Sequence, residues 1–292
     1  MPSPIQLKIP TFLKWAGGKQ QLLPQFTKYF PAEITSYAEP FLGGGSTFFY
    51  ILKYKSPTRA RAYDINPNLI NVYSQVKTKV TDLSEQLRNL EQEHNSSTDP
   101  KSYYYKQRIA YNSKHKTLEK AALFIYLNKT CFNGLYRVNS LGEFNVPFNG
   151  DKKIKLFDSD LTEASNLLNK KNVSVSTKDF RKIKYHQDDV IYFDPPYWSN
   201  HKKNGFTNYA VNGFDKASQT TLSNIFKALS KKGRKVILSN SNTNLINILY
   251  SENLYIKHKI RARRLINCDG LGRKEINELL ITANVNRMQQ HL

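Results

Sequence analysis

The chain has 292 residues, 39% hydrophobic and 23% charged, a composition that excludes disorder throughout and suits one large domain or a core carrying an insertion. Its 44 Lys and Arg against 23 Asp and Glu leave a formal charge of +21, which points to a polyanionic partner such as nucleic acid. Two cysteines, Cys131 and Cys268, exclude a disulfide framework, and with no metal-ligand spacing, no export signal and no run of 18 apolar residues the expectation is a cytoplasmic protein without metal or membrane contact.

Residues 36–54 (SYAEPFLGGGSTFFYILKY) predict a short strand, a glycine-rich turn and an apolar helix. RARAYDINP at 59–67 predicts a second strand ending at Asp64, with Asn66 and Pro67 opening the next helix. From about 69 to 130 apolar residues recur at helical spacing, with polar HNSSTDP at 94–100 read as a break. The turn-rich, aromatic stretch 131–157 predicts an irregular hairpin or loop. Strand signals return at 172–176, 189–193, 235–239 and 279–283. The expected fold class is therefore α/β, with a domain made of 1–65 and 158–292 and a mainly helical insert at 66–157.

Gly43, Gly44 and Gly45 between a strand and a helix let backbone approach a ligand closely. The turn fails the GxGxxG form because Phe48 stands at the third glycine position, and GGKQ at 17–20 fails as a phosphate loop because Gln20 replaces Ser or Thr. Asp64, nineteen residues beyond Gly45, can accept both hydroxyls of a ribose. An adenosine-containing cofactor fits the pair, NAD and S-adenosylmethionine equally, and a plain tight turn with an aspartate capping the following helix is the structural alternative.

Asp194-Pro195-Pro196-Tyr197 follows the apolar strand DVIYF, at the carboxyl edge of a sheet where open α/β proteins bind ligands. The prolines fix φ and remove two donors, leaving the Asp194 carboxylate and the Pro195 carbonyl to accept both hydrogens of one amino group. That suits methyl transfer to an exocyclic amine, with Tyr197 stacked on a flipped base. Attack on a cytosine ring carbon fits less well, because neither Thr130-Cys131 nor Asn267-Cys268 resembles the expected Pro-Cys nucleophile.

These residues resemble the amino-methyltransferases of the DNA adenine methylase (Dam) type. FLKWAGGK (12–19), AEPFLGGGS (38–46), YDIN (63–66), CFNGLYRVN (131–139), GEFNVPF (142–148), YFDPPY (192–197) and FTNY (206–209) stand in the family's order across most of the chain. The resemblance implies a Rossmann-like, S-adenosylmethionine-dependent sheet with an inserted, mainly helical DNA-recognition subdomain, acting on adenine in duplex DNA, in GATC, without an obligate protein partner. It implies cofactor contacts at Trp15, Lys19, Phe41, Gly43, Gly45, Asp64 and Asp194, and DNA contacts at Lys14, Phe132, Asn133, Leu135, Arg137 and Pro147. Arg137 can fork onto a guanine, and Leu135 and Pro147 can touch a thymine methyl. Lys202 and Lys203, in a loop after DPPY, are further expected DNA contacts. The chain departs from the family after Phe148, where Asn149-Gly150-Asp151 replaces a Gly-Arg-Tyr stretch and Lys152, Lys153 or Lys155 is left to meet phosphate. An amino-methyltransferase acting on RNA or another amine, and an inactive DNA-binding homologue, are the rival readings. The basic clusters at 231–235 and 261–264 carry no assignment.

Overall fold

The structure, a computed structural model, describes residues 7–15, 17–115, 117–198, 214–253, 255–262 and 276–285. One seven-stranded sheet has the order β3-β2-β1-β4-β5-β7-β6. The strands are β1 Ser36–Glu39, β2 Arg59–Asp64, β3 Val173–Thr177, β4 Asp189–Phe193, β5 Lys235–Ser241, β6 Ile256–Ala262 and β7 Ile276–Ala283. β1 to β5 pair in parallel, and β7 runs antiparallel between β5 and β6. This is the expected Rossmann-like methyltransferase architecture.

β4 is buried at every position, which is why it reads as an unbroken apolar run: a central parallel strand has helices on both faces. Val190 and Tyr192 join Tyr37 and Ile237 in one core, while Ile191 and Phe193 join Ala38, Val236 and Leu238 in the other, as a period of two requires.

The helices are α1 Leu23–Phe26, α2 Ser46–Tyr50 with a wider turn to Lys55, α3 Pro67–Thr78, α4 Val80–Ser96, α5 Pro100–Ser113, α6 Leu118–Thr130, α7 Ser159–Leu168, α8 Lys216–Lys231 and α9 Asn244–Leu249. Asn66 caps α3 by accepting the N–H groups of Asn68 and Leu69, and Pro67 fills the first turn. α6 is buried almost all round, and α3, α4 and α5 pack on it. Its core is continuous with one face of the sheet, and α3 also lies against β2 and β3. None of the described helices is long and apolar enough to cross a membrane.

Two expectations shift. The break predicted at 94–100 begins only at Ser97, because the buried His94 belongs to α4, its Nδ1 2.9 Å from the Tyr126 hydroxyl and its Nε2 3.0 Å from the Asp151 carbonyl oxygen. β6 gave no strand signal: Lys257 and Lys259 interrupt its apolar residues, which an edge strand with one neighbour tolerates. Within 131–157 two isolated bridges, Cys131 with Phe148 and Val138 with Phe144, tie an irregular hairpin.

Candidate active site

Because β1, β2 and β4 are parallel, the residues that end them meet at one edge of the sheet. Glu39 ends β1, Asp64 ends β2, and Asp194 follows β4. β7 runs the other way, so its first residues reach the same edge, with Glu278 paired to Ser241 of β5.

Lys19 is the hub of the Asp194 end. Its Nζ, in a side chain only 4% exposed, lies 3.0 Å from Asp194 Oδ1, donates to the Gly17 carbonyl at 2.6 Å and sits 4.5 Å from the Tyr197 ring centroid. The contact with Asp194 is one of charge: Oδ1 is buried and accepts no hydrogen bond of good geometry from the described residues. Burial pushes the Asp194 carboxyl up to about 6, opposed by Lys19 and reinforced by the charge of Glu278. Glu39, also buried, accepts the Tyr37 hydroxyl at 2.6 Å. Desolvation drives its carboxyl well above the ordinary range, with the nearby Asp194 adding to the rise.

The DPPY turn is clamped from behind. Buried Gln219 of α8 donates to the Pro196 carbonyl at 3.0 Å and accepts from Asn240 of β5 at 3.0 Å. Asn240 accepts the Trp198 N–H at 3.4 Å, and the Ser241 hydroxyl donates to the Trp198 carbonyl at 2.7 Å. The Tyr197 hydroxyl donates to Glu278 Oε2 at 2.7 Å.

At the other end of the edge, Asp64 accepts the Gly43 N–H on Oδ2 at 3.0 Å and the Asn66 N–H on Oδ1 at 2.9 Å. Asn66, not Asp64, caps α3, so the capping alternative for Asp64 falls away. Each carboxylate oxygen keeps a lone pair for a ligand hydroxyl. Gly43 and Gly45 have φ of +49° and +75°, the left-handed region that glycine tolerates. A Cβ on Gly43 would stand 2.9 Å from Trp15 Cδ1 and Nε1. Trp15 itself stacks with Phe124 of α6 and Tyr136, centroids 6.2 and 6.1 Å away. Phe41 packs with Phe180 and Phe214, centroids 5.2 and 5.6 Å away. The expected cofactor residues are thus gathered along the carboxyl edge, around a turn without Cβ atoms.

The hairpin presents Phe132, Asn133, Leu135, Arg137 and Pro147 as exposed residues, and Lys14 is exposed beside them. Arg137, exposed, donates through Nε to Asn145 Oδ1 at 2.7 Å and through Nη2 to the Asn145 carbonyl at 3.1 Å. Buried Asn128 joins the hairpin to the segment around Lys14: it accepts the Lys14 N–H at 2.8 Å and donates to the carbonyls of Lys14 at 2.7 Å and Gly134 at 3.1 Å. In the departing stretch, Asn149 and Asp151 bond each other, and Lys153 donates to the Asn95 carbonyl. Lys152 and Lys155 are exposed. The basic cluster at 231–235 ends α8 and starts β5, at the sheet edge opposite the site. Lys202, Lys203 and FTNY lie outside the described residues.

Sequence reasoning missed Glu39, Gln219, Asn240 and Glu278. Glu39 carried a signal, a carboxylate ending an apolar strand one residue before Pro40; the others come from distant segments that only the sheet brings near.

The chain matches, over residues 15–264, the family described as D12 class N6 adenine-specific DNA methyltransferase. It is 41% identical to the type II methyltransferase M.MjaIII of Methanocaldococcus jannaschii, over 94% of this chain and 99% of that protein. It is 37% identical to the type II methyltransferase M1.LlaDCHI of Lactococcus lactis subsp. cremoris, over 95% and 96%. It is 36% identical to a DNA adenine methylase of Serratia marcescens, over 92% and 96%. Similarity of this depth over most of the chain makes it a member of the D12 class of N6 adenine-specific DNA methyltransferases.

Proposed function

We propose that this enzyme transfers a methyl group from S-adenosylmethionine to the N6 amine of an adenine flipped out of duplex DNA, with GATC as its target and the cytoplasm as its place of action. The observation that carries the reading is Asp194, a half-buried carboxylate at the sheet's carboxyl edge whose buried Oδ1 is held by the Lys19 cation at 3.0 Å, with the aromatic ring of Tyr197 beside the same cation.

The lone pair of an exocyclic amine is conjugated into its ring. Asp194 and the Pro195 carbonyl, accepting the two amine hydrogens, favour the pyramidal form whose lone pair is free to attack. Pro196 holds the turn rigid through Gln219, so the acceptors need not reorganise. Stacking on Tyr197 contributes roughly 1–3 kcal/mol, comparable to the cost of unstacking the base. S-adenosylmethionine, when bound, supplies an electrophilic methyl group. Asp64, Phe41 and the Gly43–Gly45 turn fit its adenosine, and Lys19 offers a cation for its carboxylate. The segment 66–157 is the proposed target-recognition unit, with Arg137 reading guanine, Leu135 and Pro147 meeting a thymine methyl, and Phe132 and Asn133 filling the gap in the stack; Lys14, outside that segment but bonded to it through Asn128, is a further proposed DNA contact.

Expression in a host lacking adenine methylation, followed by plasmid digestion with a nuclease specific for N6-methylated GATC, is expected to fragment the plasmid. N6-methyladenine in another sequence would replace the GATC assignment, and its complete absence would overturn the function.

A second expectation follows from Asp194. Below about pH 6 its carboxyl holds a proton and loses acceptor capacity, so single-turnover rates are expected to fall about tenfold per pH unit there. Lys19 holds the carboxyl down; Lys19→Met should therefore move the fall to higher pH. A Lys19→Met profile with its acid limb unmoved would contradict this assignment.

A further inference from the structure

We propose that Glu278 is the positioning residue of the site: its carboxylate accepts the Tyr197 hydroxyl and fixes the tilt of the ring on which the target base stacks. The inference rests on the reading of Tyr197 as the stacking platform and adds to it the group that holds the platform still.

A tyrosine ring turns about two side-chain torsions. The backbone on either side of Tyr197 is held by Gln219 at the Pro196 carbonyl and by Asn240 at the Trp198 N–H, which leaves those torsions to be set at the far end. The only described acceptor recorded there is Glu278 Oε2, 2.7 Å from the phenol oxygen and 81 residues away in the chain. The bond is partly buried, and a donor shielded from water without an acceptor is costly, so without Glu278 the ring would turn to find another.

The tilt matters because Lys19 stands over one face of the same ring, 4.5 Å from its centroid, and 3.0 Å from Asp194. A turn of the ring therefore displaces both the stacking surface and the cation beside the amine acceptor. Strand direction explains why a residue so late in the chain serves here. β7 is antiparallel to β5, so Glu278, third residue of β7, lies at the edge where β4 ends.

The test is single-turnover methylation of a short duplex, with fluorescence of 2-aminopurine at the target adenine reporting base capture. Glu278→Ala is expected to slow transfer about tenfold, the value of one charge-assisted hydrogen bond, and to diminish the fluorescence rise. Glu278→Gln keeps an oxygen acceptor and should restore the rate to within about threefold of the parent. Tyr197→Phe, which removes the hydroxyl alone, should reproduce the loss, and adding Glu278→Ala to it should slow transfer no further. A Glu278→Ala protein at the parent rate, or losses that multiply in the double variant, would overturn the inference. If Glu278→Ala does not fold, parent-like rate and fluorescence in Tyr197→Phe would overturn it alone. A parent-like Tyr197→Ala would instead overturn the stacking role, so the two failures are distinguishable.

Discussion

Asp194→Ala is expected to lower the single-turnover rate of adenine methylation by about a thousandfold, while the affinity for duplex DNA changes by less than about threefold. The first figure follows from the role proposed for the carboxylate, one of two acceptors for the amine, preorganised in a site screened from water where such contacts are worth far more than in water. The second follows from where it is, behind the turn at the sheet edge, whereas the expected DNA contacts are on the hairpin around Arg137. The substitution also strands Lys19, which is 4% exposed and loses its counter-charge. Breaking a buried pair from one side costs about 3–5 kcal/mol, so the alanine protein should melt at lower temperature. Asp194→Asn keeps the shape and one acceptor oxygen, and should retain more stability while still losing about a hundredfold in rate. Normal turnover in either variant would remove Asp194 from the chemistry.

Gly45→Ala is the second change of large effect, through structure rather than chemistry. A Cβ there would stand 2.5 Å from the Tyr73 hydroxyl oxygen and 3.0 Å from a ring carbon of Phe49, at a φ of +75°. Tyr73 cannot retreat: it is 1% exposed within α3 and donates to the Gly43 carbonyl at 3.0 Å. Overpacking and left-handed strain together cost about 2–5 kcal/mol, a fall of roughly 5–15 °C in melting temperature for a chain of this size. The turn would shift away from Asp64, and binding of S-adenosylmethionine, measured by calorimetry, should weaken at least about tenfold. Gly233→Ala is the control. It has φ +73° but nothing within 4 Å of the added atom, and should cost only about 1 kcal/mol. Equal losses at the two positions would show that crowding by Tyr73 is unimportant.

Much of the candidate site was legible in the sequence because its motifs are local. A glycine turn after an apolar strand, Asp64 at the end of the next strand and DPPY after DVIYF each announce themselves within a few residues, and parallel pairing then brings them to one edge. What supports them was not legible. Gln219 and Asn240 are separated by 21 residues and meet only because α8 packs behind β5. Glu278 stands just outside the expected strand 279–283 and gains meaning only from the direction of β7. β6 was hidden by its lysines, and His94 reads as part of a polar loop until Tyr126 and Asp151 are seen to bracket its ring. Polar residues at buried positions mislead a reading of hydrophobic pattern whenever their partners are distant.

The placement of β7 has a consequence for synthesis. It follows every other strand of the sheet in the chain yet lies inside it, between β5 and β6. A chain still emerging from the ribosome, or cut short before residue 276, can assemble β1 to β5 but leaves the edge of β5 open and β6 without its one neighbour. Such a chain could carry the glycine turn and DPPY and still lack the acceptor for Tyr197. Completion of the sheet and completion of the proposed site are therefore expected to coincide late in synthesis, and a fragment lacking β7 is expected to aggregate through its open strand edge.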